Sequence, residues 1–268
     1  MYRFQYHRAK SLKQAAELFA EADDGLFLAG GQTLIPTLKQ RLAAPSDVID
    51  LSGLKELTGI EAGKDAVTVG AFTNHADVAA SPDVQKTIPA LAKLAGMIGD
   101  PQVRNMGTLG GSIANNDPAA DYPAALLGLG ATVVTDKREI AADDFFTDLF
   151  ETALEEGEII KAVRFPAPAR AAYAKFPNPV SRYALAGVFI ADFGDAVRVA
   201  VTGIKSCVFR LPEMEKALAK DFSVASVAKI KISEDDVNDD IHASAHYRAH
   251  LTGVMAARAV AEITGETK

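Results

Sequence analysis

Apolar residues near the start of the chain recur with the helix period. Leu12, Ala15, Ala16 and Phe19 follow Ser11 at i, i+3, i+4, i+7 spacing, so residues 11–22 are expected to form an amphipathic helix capped by the serine. Leu26-Phe27-Leu28-Ala29 reads as a short strand running into Gly30-Gly31, and helical spacing resumes over 32–40, with Pro36 near its start. Residues 48–51 and 66–70 read as strands, the second with apolar/polar alternation, while 74–80 and 87–98 carry helical patterns. The periodicity then lapses. From 99 to 121 the chain is rich in Gly, Asn, Asp and Pro and is longer than an ordinary connector, which marks a functional loop. A helix near 119–129 and strands over 131–135 and 158–165 follow.

Pro166-Ala167-Pro168 punctuates the chain, and a domain boundary is placed near 166. Beyond it, 188–193 and 197–204 flank a Gly194-Asp195 turn as a β-hairpin, and amphipathic helices are expected over 211–220 and 242–263. Neither a tandem repeat nor a low-complexity tract is present.

Composition narrows the function classes. At 268 residues the chain suits one large domain or two moderate ones, and 49% hydrophobic residues with mean hydropathy +0.07 place it in the soluble globular class. A net charge of -7, with no Lys/Arg cluster, disfavours a nucleic-acid partner, whose phosphates require a basic face. The first residues lack a signal-peptide core and no window approaches the length of a membrane span, so a cytoplasmic location is expected. The single cysteine, Cys207, lies in an apolar run; it excludes an intrachain disulfide and cannot hold an iron-sulfur cluster, so any iron belongs to another chain. His7, His75, His242, His246 and His250 show no metal-ligand spacing. The last three recur at i, i+4, i+8 on one helical stripe, read as a solvated face rather than a metal site.

The chemistry concentrates in two glycine segments, Leu28-Ala29-Gly30-Gly31-Gln32-Thr33-Leu34-Ile35-Pro36 and Gly107-Thr108-Leu109-Gly110-Gly111-Ser112 with its continuation to Pro123. Each sets paired glycines beside a hydroxyl or amide side chain, an arrangement that brings backbone N–H groups against phosphate oxygens. Two such nests suit a pyrophosphate. Taken singly, either segment is better read as a tight turn; together they favour the phosphate reading. Neither matches the Gly-x-Gly-x-x-Gly fingerprint or a P-loop, so a Rossmann site and a nucleotidase are poorly supported. Arg104 is placed to neutralise a phosphate or pair with a loop carboxylate, and Asp117, Asn115 and Asn116 are equally suited to turn and cap work.

Ala29-Gly30-Gly31-Gln32-Thr33-Leu34-Ile35-Pro36 and Asp100-Pro101-Gln102-Val103-Arg104-Asn105-Met106-Gly107-Thr108-Leu109-Gly110-Gly111-Ser112 resemble the signature loops of the flavoprotein subunit of molybdenum hydroxylases. That family includes the medium chain of aerobic carbon monoxide dehydrogenase and the FAD domain of xanthine dehydrogenase. The likeness extends to the stretch from Asp240 to Arg248 and so covers nearly the whole chain. It implies an α+β fold of the vanillyl-alcohol-oxidase (PCMH) type over 1–166, two subdomains divided near 50–60 and clasping an extended FAD. A small C-terminal α+β domain of antiparallel sheet and helices is implied over 167–268. By the same resemblance, Ala29, Gly30, Gly31, Gln32 and Thr33, with Thr108, Leu109, Gly110, Gly111 and Ser112, wrap the pyrophosphate. Leu28, Leu34 and Ile35 flank the cofactor; Ile98, Ala114 and Ile160 make apolar contacts. Asp121 accepts hydrogen bonds from cofactor hydroxyls, with Asp117 a further candidate nearby. Lys175 and Tyr183 match positions near the flavin ring, where a cation favours the reduced anion and an aromatic ring covers the flavin face.

The implied function is electron transfer. Substrate oxidation at a molybdenum cofactor in a large partner feeds an iron-sulfur small partner, and FAD in this chain delivers the electrons to an external acceptor, within a heterotrimer that dimerises. No side chain is assigned as acid, base or nucleophile, because the flavin carries the chemistry. Two other readings stand beside it. A self-contained flavin reductase or oxidase of the same fold requires its own proton donor, and a non-redox nucleotide-binding scaffold does not require two intact glycine loops.

Overall fold

A computed structural model describes residues 1–266. Strands β1 (Gln5–Arg8), β2 (Gly25–Leu28) and β3 (Asp47–Asp50) form a small parallel sheet in the order β1-β3-β2. Parallel neighbours need crossovers, and helices Leu12–Glu21 and Leu34–Lys39 supply them. Ser11 caps the first as expected, its Oγ accepting from the Gln14 N–H at 3.1 Å, and Phe19 stacks on Phe27 with centroids 4.8 Å apart. Ile159, from much later in the chain, completes the core of this unit with Ile49, Leu51, Leu54 and Leu57. The small sheet is therefore closed by the next one.

That second sheet comprises β4 (Ile60–Ala62), β5 (Ala66–Gly70), β6 (Thr132–Thr135), β7 (Glu139–Ala141) and, beyond the short pair β8 (Phe146–Asp148) and β9 (Glu151–Thr152), β10 (Ile160–Pro166). Its order is β4-β5-β10-β6-β7, so β10 enters last and lies in the middle. Between β5 and β6 the chain leaves the sheet for a series of short helices. The helix expected over 87–98 is found as Pro89–Gly96, and a separate helix, Pro82–Thr87, precedes it; each opens on its proline, which fits only the first turn. The loop expected over 99–121 is also corrected. It contains helices Pro101–Met106 and Leu109–Asn115, capped by Asp100 and Thr108, each too short for a hydrophobic period to register. Helix Tyr122–Leu129 follows, with all of its residues buried.

Beyond Pro166, β11 (Arg170–Pro177), β12 (Ala184–Asp192), β13 (Val197–Thr202) and β14 (Phe209–Arg210) form an antiparallel sheet in sequence order. The expected hairpin is β12–β13, pairing Asp192 with Val197. β12 begins four residues earlier than its alternation shows because both faces of this sheet are covered. Val188, Ile190, Val199 and Val201 pack on Met255, Ala256 and Val260 of the last helix, Ala245–Thr264. Tyr173, Phe189 and Ala200 face the other way, into the core of the second unit. Gly128 lets helix Tyr122–Leu129 settle there, since a Cβ would lie 2.6 Å from the Phe189 ring.

The last helix starts at Ala245 with Ser244 as its cap, so His242 precedes it and the three-histidine stripe does not form. His246 pairs with Glu234 at 2.8 Å. Among the described residues no helix is long and apolar enough to cross a membrane. Cys207 is half-buried.

One buried cation ties this region together. Arg248, 4% exposed, donates from Nη1 to the carbonyls of Leu185 (3.0 Å) and Gly203 (2.8 Å) and from Nη2 to Asp240 (2.7 Å). The Gly203 N–H in turn donates to Pro118 O at 2.8 Å, and Thr202 donates to Ala120 O at 2.7 Å. The end of β13 is thus fastened to segment 117–121. Arg248→Met is expected to lower unfolding free energy by about 2–4 kcal/mol in urea titrations, because two buried carbonyls lose their donor. Arg248→Lys recovers only part of the loss, since an ammonium lacks the guanidinium fork.

Candidate functional site

The three sheets meet around a cleft of about 660 Å³. Its walls come from the end of β2, from the short helices after β5, from the 154–160 segment, and from the turn at Ser181-Arg182-Tyr183 between β11 and β12.

On the first wall, β2 ends at Leu28 and helix Leu34–Lys39 begins six residues later, leaving Ala29 to Thr33 as a free loop. Gly31 adopts φ +69°, a conformation glycine takes without strain. Leu28 and Ile35 pack behind this turn, since a Cβ on Gly31 would lie 3.4 Å and 2.9 Å from them, and neither lines the cleft. The N–H groups of Gly30, Gly31, Gln32 and Thr33 donate to no acceptor among the described residues. Such a row of uncommitted donors is an anion nest.

The second glycine segment is built differently. Leu109 N–H donates to Thr73 O (3.1 Å), Gly110 N–H to Ala71 O (2.8 Å), Gly111 N–H to Thr108 Oγ1 (3.2 Å) and Ser112 N–H to Thr108 O (3.0 Å). The expectation of two equivalent nests is corrected: these N–H groups are spent inside the protein. What this segment offers is close approach. Gly110 lies where a Cβ would come within 2.6 Å of Ala71, and Gly30 lies where a Cβ would collide with the Met106 carbonyl, so the two glycine segments touch backbone to backbone. Leu109 is fully buried in the core and does not reach the cleft.

At the cleft floor, Asp121 is 4% exposed and its carboxylate accepts from Tyr173 Oη (2.5 Å) and Lys175 Nζ (3.0 Å). Burial pushes its carboxyl up, while the lysine charge and the tyrosine bond draw it down. Lys175 Nζ also donates to Met97 O (2.8 Å) and Arg182 O (3.0 Å), which uses all three ammonium protons. Lys175 is therefore directed beneath the floor and does not line the cleft, a departure from the placement implied for it. Its bond to Arg182 O helps set the turn that carries Tyr183 to the lip, where Asn178 accepts the N–H groups of Val180 (2.9 Å) and Ser181 (3.1 Å). Arg182 itself holds φ +64°.

Asp117 borders the cleft and accepts from Ala119 N–H at 2.9 Å; burial pushes its carboxyl up. Asn116 turns inward at φ +42°, donating to the carbonyls of Asp148 and Glu151. Among the described residues Arg104 meets no carboxylate, and it does not reach the cleft, because Nη1 is engaged with Ile98 O (2.9 Å) and Gly99 O (3.0 Å). Gln32, Thr33, Leu34, Ile98, Ala114, Ile160 and Tyr183 all line the cleft.

Several lining residues escaped the sequence reading. Phe27, Phe72, Val103, Leu154 and Ile159 form apolar walls, and in sequence they are indistinguishable from core positions. Glu158 also borders the space, but Arg138 (3.0 Å), Thr135 (2.7 Å) and the Glu155 N–H (2.8 Å) hold it. Those bonds outweigh burial, which alone pushes it up, and leave its carboxyl at about 2. His75 is the remaining polar surprise: burial, with the Arg104 charge second, draws its imidazole down to about 4.

Comparison with known proteins agrees with this geometry. The family described as "FAD binding domain in molybdopterin dehydrogenase" matches residues 2–168. The carbon monoxide dehydrogenase medium chain of Hydrogenophaga pseudoflava is 35% identical over 96% of this chain and 96% of its own length. The nicotine 6-hydroxylase medium subunit of Paenarthrobacter nicotinovorans is 36% identical, covering 98% of each. Among solved structures, a Cu,Mo-CO dehydrogenase chain superposes with TM-score 0.87 at 32% identity over 100% of both chains. A chain of quinoline 2-oxidoreductase from Pseudomonas putida 86 superposes at 0.89 with 28% identity, covering 98% of this chain and 97% of its own. Family match, end-to-end likeness and a cleft built between two touching glycine loops lead to one conclusion: the chain belongs to the FAD-binding domain family of the molybdopterin dehydrogenases and has that family's α+β fold.

Proposed function

We propose that this chain is the FAD-carrying, electron-transferring subunit of a molybdenum hydroxylase, receiving electrons from an iron-sulfur small subunit and passing them to an external acceptor. Substrate oxidation then belongs to a molybdenum-cofactor large subunit, in a cytoplasmic heterotrimer that dimerises. The observation that carries this reading is the row of uncommitted N–H groups from Gly30 to Thr33, set against a second loop with no side chain between them. The relatives matched along nearly their whole length are named as medium chains or medium subunits, which favours this over a self-contained reductase or a scaffold.

The residues fit the cofactor. The N–H row of the first loop suits a pyrophosphate, the Ser112 hydroxyl and the bare first turn at Gly110-Gly111 of helix Leu109–Asn115 allow close approach opposite it, and the cleft volume falls in the range of ligand sites. Bound FAD supplies the redox chemistry, as the step where electrons from the iron-sulfur partner meet the acceptor. The chain's own residues bind, orient and shield. Ala29, Leu34 and Thr108 complete the two loops around the phosphates, Ile98, Ala114 and Ile160 give apolar contact, and Asp117 and Asp121 orient cofactor hydroxyls. Tyr183 covers the exposed flavin face, while Leu28, Ile35, Leu109 and Lys175 act from behind by bracing the loops and the floor. We read 1–166 as the FAD-binding domain, divided near 50–60, and 167–268 as the C-terminal domain.

The purified chain is expected to be yellow and to release FAD on denaturation; a colourless chain that takes up no added FAD supports the scaffold reading instead. Gly30→Val forces the two loops apart and is expected to weaken FAD binding about 100-fold or more, some 2.8 kcal/mol, by flavin-fluorescence titration. Tyr183→Ala leaves FAD bound but raises iodide quenching of flavin fluorescence several-fold; unchanged quenching removes Tyr183 as a cover. Affinity capture from the native host is expected to recover an iron-sulfur and a molybdenum protein together, and recovery of neither overturns the assembly.

A further inference from the structure

His75 opens the short helix His75–Ala80 and lies directly behind the second glycine segment. Its backbone N–H donates to Gly107 O at 3.0 Å, and glycine at 107 leaves space for the ring, since a Cβ there would lie 2.7 Å from Nε2. The residue is 4% exposed, yet it borders the cleft. Nδ1 is sealed from solvent and makes no hydrogen bond among the described residues. The Tyr122 ring lies 5.4 Å away with a hydroxyl that is equally sealed and unpartnered, so the two groups do not satisfy each other. Nε2 has no protein partner either, but it is not one of the sealed atoms.

Two constraints fix the protonation of this ring. With its pKa drawn down to about 4, the imidazole is neutral near pH 7 and carries a single N–H. A buried N–H without an acceptor is costlier and rarer than an acceptor left without a donor, so the proton belongs on Nε2 and the lone pair on the sealed Nδ1. A neutral donor therefore stands at the cleft wall beside Gly107, whose own N–H already donates to Val103 O.

We propose that His75 is a cofactor-contacting residue whose Nε2–H donates a hydrogen bond to an oxygen of the FAD held between the two glycine loops. The proposal rests on the FAD reading above. FAD offers phosphate and hydroxyl oxygens as acceptors, and a neutral donor serves them without burying a second cation next to Arg104.

The test is a titration of FAD into the flavin-free chain for wild type, His75→Phe and His75→Gln, with melting temperatures of the flavin-free proteins measured in parallel. Absence of saturable binding by the wild type overturns the FAD reading itself, before any variant is compared. Given wild-type binding, His75→Phe is expected to weaken FAD about 10-fold at an unchanged melting temperature, the effect of losing one buried hydrogen bond. His75→Gln, which keeps an N–H donor, is expected to stay within about threefold. In the wild type with ¹⁵N-labelled histidine, the His75 Nε2–H resonance is expected to shift on FAD saturation. Wild-type affinity in His75→Phe overturns the proposal, as does an equal loss in both variants accompanied by a lowered melting temperature. If His75→Phe does not fold, an unshifted Nε2–H resonance overturns it.

Discussion

Everything at this site depends on the contact between two stretches of bare backbone. Gly30 faces the Met106 carbonyl and the Gly107 Cα with no side chain on either side. Any Cβ at 30 would wedge the small parallel sheet away from the helices that follow β5, and the cleft exists because those two units stand at this separation. The consequences run in sequence. The glycine that permits the contact also frees the adjoining N–H groups from regular structure, and uncommitted N–H groups in a fixed arc are what a phosphate requires. The opposite loop has the reverse economy: it spends its N–H groups on Thr73, Ala71 and Thr108 and so acts as the rigid wall.

The floor and the lip are held by charge rather than by apolar packing. Asp121, Lys175 and Tyr173 form a buried polar cluster, and Lys175 carries the connection on to Met97 and to the turn bearing Tyr183. Buried pairs of this kind gain little net stability but are costly to break, so their usefulness lies in allowing one arrangement. The C-terminal sheet contributes to the same end. With one face in the core of the second unit and β13 fastened to Pro118 and Ala120, it fixes the segment from Asp117 to Asp121 from behind.

How much of this was legible in the sequence follows from the range of the forces involved. The capped helix after Ser11, the strand–glycine–helix at 26–40 and the hairpin around Gly194 are set by local pattern and emerged at or near their expected places. The segment 99–121 did not, because helices of six or seven residues show no period and are fixed by caps and tertiary contact. At the site, the glycine motifs were readable and the division of labour between them was not: Gly31 and Gly110 look alike in sequence, yet only the structure shows whose N–H groups are committed. Lys175 was misplaced for a related reason. A lysine in a strand carries no sign of the buried aspartate it will meet 54 residues away. His75 drew no functional reading because one isolated histidine is uninformative until its burial and missing partners are known.

The central claim is that the Gly30 to Thr33 N–H row holds the cofactor through its pyrophosphate. Calorimetric titration of the flavin-free chain with ADP and with adenosine tests this most directly, because the two differ by that group alone. The account predicts that ADP binds and weakens a subsequent FAD titration while adenosine at the same concentration does neither. Equal binding of the two would place the recognition elsewhere and contradict it.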